Sequence, residues 1–231
     1  MTQGAGLSVA GVVGPVIHGQ AASTGRRCSV VQLGGCNLSC TWCDSAFTWD
    51  STRFDLSREL AVWSVPQIIE QAVACAPAAV IVSGGEPLLQ QGAPAWPDLL
   101  AGLAAYEIGL ETNGTVAPSN ETLHGVSWIT VSPKLAHAGD PAWARINGEV
   151  LVRWGRLARQ LDIDFSFVVR DTADIATVTT LVTIHELPTE RIWISPEGTH
   201  AAVVLPRLRE IAGSTLAAGF NLSPRLNALV A

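Results

Sequence analysis

Cys36-Asn37-Leu38-Ser39-Cys40-Thr41-Trp42-Cys43 puts three thiols on one short loop, directly after the apolar, β-like run Cys28 to Leu33 and the pair Gly34-Gly35. Three thiolates brought together make a soft site, suited to iron–sulfur or zinc and not to hard cations. Zinc normally takes a fourth protein ligand, which here would be a distant histidine, Cys28 or Cys75. A cubane cluster held by three protein thiolates instead leaves one iron open to a ligand. The C-x3-C-x2-C spacing therefore favours a 4Fe–4S cluster on Cys36, Cys40 and Cys43, with a zinc knot or three unrelated buried thiols as the alternatives.

Charge and length narrow the setting. The net charge is −6 and no basic run exceeds Arg26-Arg27, which argues against a nucleic-acid partner or an anionic membrane surface. Thirteen of the fourteen basic residues are arginine, and Lys134 is the one lysine. With 231 residues and 48% hydrophobic content, one domain over 1–231 is expected. Residues 1–13 are small and apolar without period and read as a mobile lead-in. The stretch Gly6 to Ile17 lacks the positive start of a signal peptide and is too short to span a bilayer. Cys28 and Cys75 lie in apolar contexts, so cysteine usage fits a reducing cytoplasm.

From Cys28 onward, short β-branched runs alternate with helical stretches. The predicted strands are Cys28–Leu33, Ala79–Val82, Glu107–Glu111, Trp128–Val131, Asp164–Val169 and Arg191–Ile194. The predicted helices are Val65–Ala76, Pro97–Ala105, Gly148–Leu161, Thr172–His185 and Ala201–Ala218. Strands each followed by a helix or helical turn imply right-handed βαβ units and a parallel sheet. A closed eight-unit barrel usually needs about 250 residues. Six units in this length predict an α/β fold, an incomplete parallel (βα)6 barrel.

In such barrels the chemistry sits where strands end. The cysteine loop follows the first strand, Ser83-Gly84-Gly85-Glu86-Pro87 the second and Glu111-Thr112-Asn113-Gly114 the third. Ser132-Pro133-Lys134 follows the fourth and Ser195-Pro196-Glu197-Gly198 the sixth. Turns need polar residues, Gly and Pro in any case, but five such clusters at the same edge point to a shared site. Gly84 and Gly85 lack a Cβ where backbone comes close to a ligand, and a proline fixes Glu86; an ordinary capped turn is the alternative. Glu111 and Asn113 suit a ribose or a carboxylate, though an Asx cap explains Asn113 equally well. Lys134 could equally be a solvated surface lysine. The five histidines show no ligand spacing and read as satisfied surface or core residues.

Cys36-x3-Cys40-x2-Cys43 with Trp42 before the last cysteine resembles the signature of the radical S-adenosylmethionine enzymes. The longer string Gly34-Gly35-Cys36-Asn37-Leu38 through Cys43-Asp44-Ser45 and Phe47-Thr48-Trp49-Asp50 is similar to one branch, the 7-carboxy-7-deazaguanine synthases. Matched motifs run from about residue 14 to about residue 226. The resemblance implies the incomplete barrel, a 4Fe–4S cluster and S-adenosylmethionine. It implies a lyase reaction in queuosine or deazapurine biosynthesis, from 6-carboxy-5,6,7,8-tetrahydropterin to 7-carboxy-7-deazaguanine with loss of ammonia. Gly84, Gly85, Glu86, Glu111, Asn113, Ser132, Pro133, Lys134, Ser195, Pro196, Glu197 and Gly198 are then expected to bind S-adenosylmethionine. Ile17, His18, Gly19, Gln32 and Ser83 are expected to bind substrate. Ser45 is expected to ligate Mg2+, with a helix N-cap as the alternative role. Trp42 and Phe47 are expected near the cluster, keeping solvent off it.

The departures fall on the substrate side. The branch usually carries Gln-Gly-Glu-Gly where this chain has His18-Gly19-Gln20-Ala21. It has an arginine where this chain has Gln32, which loses the charge and the bidentate fork. Leu222-Ser223-Pro224-Arg225-Leu226 matches, yet Asn227 replaces a usual histidine. These departures keep two other readings in play: a divergent enzyme of the branch acting on another small substrate or a glycyl-radical site, and a non-catalytic iron–sulfur or zinc protein. An electron donor such as flavodoxin or ferredoxin is implied, and the resemblance allows a homodimer although no residue marks an interface.

Overall fold

The first departure from the sequence reading comes at the N-terminus. Leu7–Ile17, expected to belong largely to an aperiodic lead-in, form a strand, β1; the described residues of this computed structural model are 6–230, and residues 1–5 lie outside them. Leu7 and Val9 are buried, and Leu7–Val9 pair antiparallel with Ala61–Trp63.

The chain continues through β2 (Arg27–Leu33), the short α1 (Leu56–Glu59), β3 (Ala61–Trp63), α2 (Val65–Val73), β4 (Ala79–Gly84), α3 (Ala95–Gly102), β5 (Glu107–Thr112) and α4 (Asn120–Gly125). Then come β6 (Trp128–Val131), α5 (Ala142–Arg145), α6 (Gly148–Leu157), β7 (Ile163–Val169), α7 (Thr172–Ile184), β8 (Ile192–Pro196), α8 (Ala201–Ala217), β9 (Asn221–Leu222) and α9 (Leu226–Val230). All six expected strands and all five expected helices are present, with ends shifted by a few residues. β1, β3, β9 and the short helices α1, α4, α5 and α9 were not expected.

The described residues fall into two compact units. The first takes the chain up to Val16, Arg27–Thr112 and Pro118–Ile129; the second takes Ile17–Arg26, Asn113–Ala117 and the chain from Thr130 on. The strand order of the first is β3-β1-β2-β4-β5, with β2, β4 and β5 parallel. In the second, β7, β8 and β9 are parallel in that order. Neither row closes on itself, and helices join the parallel strands, as an open α/β architecture requires. Among the described residues, no helix is long and apolar enough to cross a membrane.

In the first unit, Ala79 to Val82 of β4 are buried beside Val31, Leu33, Ile108 and Leu110; α2 and α3 add Ile68, Ala72, Trp96 and Leu99, and Leu103 follows at the end of α3. Each large side chain buried this way contributes roughly 1.5–3 kcal/mol. The Trp96 indole donates 3.0 Å to Thr122 Oγ1, which satisfies the polar end of a wholly buried ring. In the second unit all seven residues of β7 are buried. Such a continuous buried run marks a strand covered on both faces.

The ends of β2 and β4 meet more closely than side chains would allow. Their register runs from Cys28 against Ala79 to Leu33 against Gly84. The pairing continues into both turns: Gly85 N donates to Leu33 O at 2.9 Å, and Glu86 N to Gly35 O at 2.8 Å. Gly84 has φ +120, and a Cβ there would lie 2.3 Å from the Leu33 nitrogen and oxygen; one on Gly85 would lie 2.0 Å from Gly35 O. The space a Cβ would fill at these glycines is taken by the chain's own backbone.

A methyl group at Gly85 has no flexible neighbour to push aside. Gly85→Ala is expected to cost about 1–3 kcal/mol and lower the thermal midpoint. Gly92→Ala, at an exposed site with open space around the Cβ position, should stay within about 0.5 kcal/mol. Thermal melts of both variants beside the wild type test this, and equal midpoints would show that the close approach is dispensable.

Candidate active site

The cysteine loop leaves β2 through Gly34 and Gly35, and the surrounding chain fixes its course. Gly34 N donates to Ser8 O at 2.9 Å and Gly35 N to Thr48 O at 2.7 Å. Gln90 Nε2 donates to both Gly34 O and Ser8 O at 2.9 Å. Gly35 adopts φ +87, a left-handed turn that favours glycine. All five cysteines are free thiols; Cys40 is buried, and Cys36 and Cys43 are half-buried.

Two of the sulfurs already accept hydrogen bonds. Leu38 N donates to Cys36 Sγ at 3.5 Å, and the Trp49 indole donates to Cys43 Sγ at 3.4 Å. Such bonds stabilise thiolate charge and tune iron–sulfur potentials. Ser45 Oγ stands 3.5 Å from Cys43 Sγ and donates to Gly84 O at 3.1 Å. Of the two aromatics expected here, Phe47 packs edge-on against Phe54 at 6.4 Å. Trp49, to which the spacing assigns no role, brings its ring to the Cys43 sulfur. Further along, Thr52 and Arg53 hydrogen-bond Asp50 and hold its carboxyl down to about 2, so this anchor stays ionised well into the acid range.

The fourth ligand of a zinc knot does not come from the remaining cysteines. Cys28 pairs with Ala79 at the start of the strands, roughly 16 Å of extended chain from Leu33. Cys75 packs by Gly14 and Ser29, near that same end. Among the described residues, no three His, Cys, Asp or Glu side chains are gathered to hold one metal ion; a cubane, taking each thiolate on a different iron, does not need that. Three thiols on one braced loop with hydrogen-bonded sulfurs fit a 4Fe–4S cluster.

Across the strand ends of the first unit runs a polar row. Gln32 and Ser83 are in register on β2 and β4, and Ser83 Oγ donates to Glu111 Oε2 at 2.6 Å. Glu86 is fully buried. Its Oε1 accepts from Leu88 N at 3.0 Å, capping the turn Pro87–Leu89, and from Thr112 Oγ1 at 2.8 Å. The capped-turn reading of Glu86 thus describes its side chain, which also ties the second strand end to the third.

In the second unit, His18 is buried with Nδ1 2.7 Å from Ser23 Oγ. A Cβ on Gly19 would lie 1.8 Å from Asn227 Oδ1, and Leu226 N donates to Gly19 O at 3.2 Å. The His18-Gly19 segment therefore rests directly on the altered C-terminal motif; Ile17 is exposed. Asn113 Oδ1 accepts from Thr115 N and Oγ1 at 2.9 and 2.6 Å, the Asx turn weighed from the sequence. Lys134 Nζ donates 2.9 Å to Ser132 Oγ, and Arg145 donates 2.9 Å to Lys134 O. Gly198, at φ +143, ends the turn begun by Ser195 and Pro196. Ser195 is fully buried, and its hydroxyl has no hydrogen-bond partner among the described residues. Leaving such a group unsatisfied costs about 1–3 kcal/mol, a cost that a polar ligand at this turn would relieve.

One residue set aside from the sequence emerges here. The His137 side chain is buried, with Nδ1 3.4 Å from Asp174 and Nε2 3.5 Å from Glu197. No local spacing could have revealed it, because its partners lie 37 and 60 residues away.

A family model for a 4Fe-4S single cluster domain matches residues 21–103, which span the cysteine loop and the Gly84-Gly85-Glu86 turn. The 7-carboxy-7-deazaguanine synthase of Halobacterium salinarum is 32% identical, covering 91% of this chain and 85% of that protein. The enzyme of the same name from Pyrobaculum aerophilum is 29% identical, covering 91% and 89%. Among solved structures, QueE from Escherichia coli superposes with a TM-score of 0.66 at 19% identity, covering 94% of this chain and 92% of that one. Streptococcus suis SuiB bound to S-adenosylmethionine matches with a TM-score of 0.50 at 13% identity, covering 81% of this chain and 44% of that one. These structural likenesses bear out the α/β fold. On the Halobacterium relative, matched over nearly its whole length, the chain belongs to the 7-carboxy-7-deazaguanine synthase family.

Proposed function

We propose that this chain is a radical S-adenosylmethionine carbon–nitrogen lyase that makes 7-carboxy-7-deazaguanine from 6-carboxy-5,6,7,8-tetrahydropterin in queuosine or deazapurine biosynthesis. The observation that carries the reading is the cysteine loop, docked by its backbone on Gly84 and Gly85, in a chain of this family. Cys36, Cys40 and Cys43 would hold the 4Fe–4S cluster. Bound there, the cluster and S-adenosylmethionine supply one-electron chemistry that removes a hydrogen atom from the substrate.

The protein's own part is to bind, orient and exclude water. In the first unit, backbone groups of Gly84 and Gly85 and the Glu111 side chain would receive S-adenosylmethionine, while Glu86 holds the turn in shape. In the second, Asn113, Ser132, Pro133, Lys134 and Ser195 to Gly198 would do so, the buried Ser195 hydroxyl gaining a partner. Gln32 and Ser83, in register on β2 and β4 of the first unit, would receive the pterin. Gln32 can donate one hydrogen bond to the substrate carboxylate in place of an arginine fork. Ser45 would ligate Mg2+ through a lone pair of the hydroxyl oxygen, the ion keeping most of its waters. Residues 1–231 act as one radical-SAM domain in the cytoplasm, fed by a flavodoxin- or ferredoxin-like donor, and a homodimer is compatible with this.

Anaerobic reconstitution, followed by assay with S-adenosylmethionine, reductant, Mg2+ and the carboxytetrahydropterin, tests the whole reading. Formation of 7-carboxy-7-deazaguanine is expected. 5′-Deoxyadenosine without that product would move the reading to another substrate, and a bound cluster with neither product would favour the non-catalytic alternative.

Two variants refine it. Cys40→Ala removes one of three thiolates and is expected to abolish both the iron–sulfur absorbance and the activity, with acid-labile sulfide as the check. Gln32→Ala deletes one hydrogen bond worth about 1–1.5 kcal/mol. It should raise KM for the pterin about tenfold and leave KM for S-adenosylmethionine unchanged; an unchanged pterin KM would remove Gln32 from substrate binding.

A further inference from the structure

The second unit contains a row of ionisable side chains centred on an imidazole to which the proposed chemistry gives no role. At one end Arg170 grips Asp174, donating from its backbone at 2.9 Å, Nε at 3.1 Å and Nη2 at 3.2 Å. Asp174 in turn faces His137 Nδ1 at 3.4 Å, and His137 Nε2 faces Glu197 at 3.5 Å. At the other end Arg207 Nη1 donates to the Glu197 carboxylate at 3.1 Å and to its main-chain carbonyl at 2.7 Å. The main-chain nitrogen of Glu197 completes the anchorage by donating to Val169 O at 2.8 Å.

The imidazole is the centre of this row. Only 3% of its side chain is exposed, against 11% for Asp174 and 20% for Glu197. Each of its nitrogens faces a carboxylate on a different element, one in the first turn of α7 and one in the turn after β8. His137 itself lies three residues beyond Lys134, so the ring connects the turn that carries Ser132-Pro133-Lys134 to the turn that carries Ser195 to Gly198. Glu197, expected from the sequence to meet cofactor, has both its carboxylate and its main chain engaged in this network.

We infer that His137 is a positioning residue, an imidazole wedge between Asp174 and Glu197 that fixes the spacing of these two strand-end turns and thereby sets affinity for S-adenosylmethionine. The cofactor half of this inference rests on the proposed function; the wedge itself rests on the geometry. The buried Ser195 hydroxyl, two residues before Glu197, gives the fixed spacing a purpose, since a hydroxyl with no protein partner can meet a ligand only if the turn holds still.

The charges acting on the ring come from the start of α7 with the turn before it and from the turn after β8. Burial drives its proton affinity down, Asp174 pushes it up, Arg170 down, Glu197 and Asp171 up, and the balance lies below the ordinary histidine value. For Asp174, burial pushes the carboxyl up, but the hydrogen bonds from the Arg170 side chain and backbone, with His137 nearby, carry it below the usual range. A histidine with a depressed folded value binds its proton less readily than in the unfolded chain. Its contribution to stability is present above the unfolded value and is lost as pH falls through the folded one.

The test uses the reconstituted full chain with His137→Ala, His137→Gln and Glu197→Gln. His137→Ala is expected to raise KM for S-adenosylmethionine, and the dissociation constant of S-adenosylhomocysteine, about tenfold, the scale on which removing a supporting group weakens a site. Its kcat should stay within about twofold. Amides of Ser195 and Glu197 to Gly198 should exchange faster in this variant, and His137→Gln, which still hydrogen-bonds one side, should recover part of the loss. In proton NMR, the resonance missing from His137→Gln identifies the ring. Its titration midpoint should lie below the ordinary histidine value and fall further in Glu197→Gln, a shift that a merely space-filling role would not produce.

A folded His137→Ala variant with unchanged cofactor affinity and unchanged amide exchange would overturn the inference, as would a midpoint that ignores Glu197→Gln. If the wild-type chain bound no S-adenosylmethionine, the functional reading and the affinity half would fall together. Exchange and titration would still decide the wedge.

Discussion

The cysteine loop depends on a backbone contact in which no side chain takes part. Beyond the last paired residues of β2 and β4, the ladder runs on through Gly85 N to Leu33 O and Glu86 N to Gly35 O, and this is feasible because neither Gly84 nor Gly85 carries a Cβ. Hydrogen bonds between main-chain groups are the least adjustable contacts a loop can make, because no rotamer can change to absorb an error. A loop that must present three sulfurs in a set geometry gains from being fixed this way. Ser45 adds a side-chain cross-link between the same two segments, its hydroxyl donating to Gly84 O.

Around that contact, carboxylates act mostly as braces. Glu86 and Glu197 occupy comparable positions, each beside a glycine and a proline just past a strand. Both could be taken for groups that reach toward a ligand, yet Glu86 is held by Leu88 and Thr112 and Glu197 by Arg207. A buried carboxylate with several donors stabilises the turn it sits in. At the second of these turns the hydroxyl of Ser195 is left without a hydrogen-bond partner among the described residues.

How much of this could be read from the chain follows from the range of the interactions involved. The strands β2, β4, β5, β6, β7 and β8 and the helices between them follow from local pattern, helped by caps such as Asp171, which accepts from Ala173 N and Asp174 N. β3 and β9, at three and two residues, are too short for alternation to register. β1 hides behind Gly11, Gly14 and Pro15, which read as loop; its strand character comes from pairing with β3. α4 is six residues long, and its Ser119 cap lies in a stretch of polar residues indistinguishable from a turn.

The site divides along the same line. The cysteines are legible because ligands of one cluster share one loop, so spacing carries the information. Trp49 and His137 are not, because nothing near them in sequence distinguishes an indole that will meet a sulfur or an imidazole that will meet two carboxylates. The glycines of the second strand end were legible as a requirement for close approach but not as to what approaches, since a missing Cβ leaves room for a ligand and for the protein's own backbone alike. A motif at a strand end therefore states that contact is tight there. Only the three-dimensional structure says whether protein or ligand makes it, and at Gly85 the partner is Gly35.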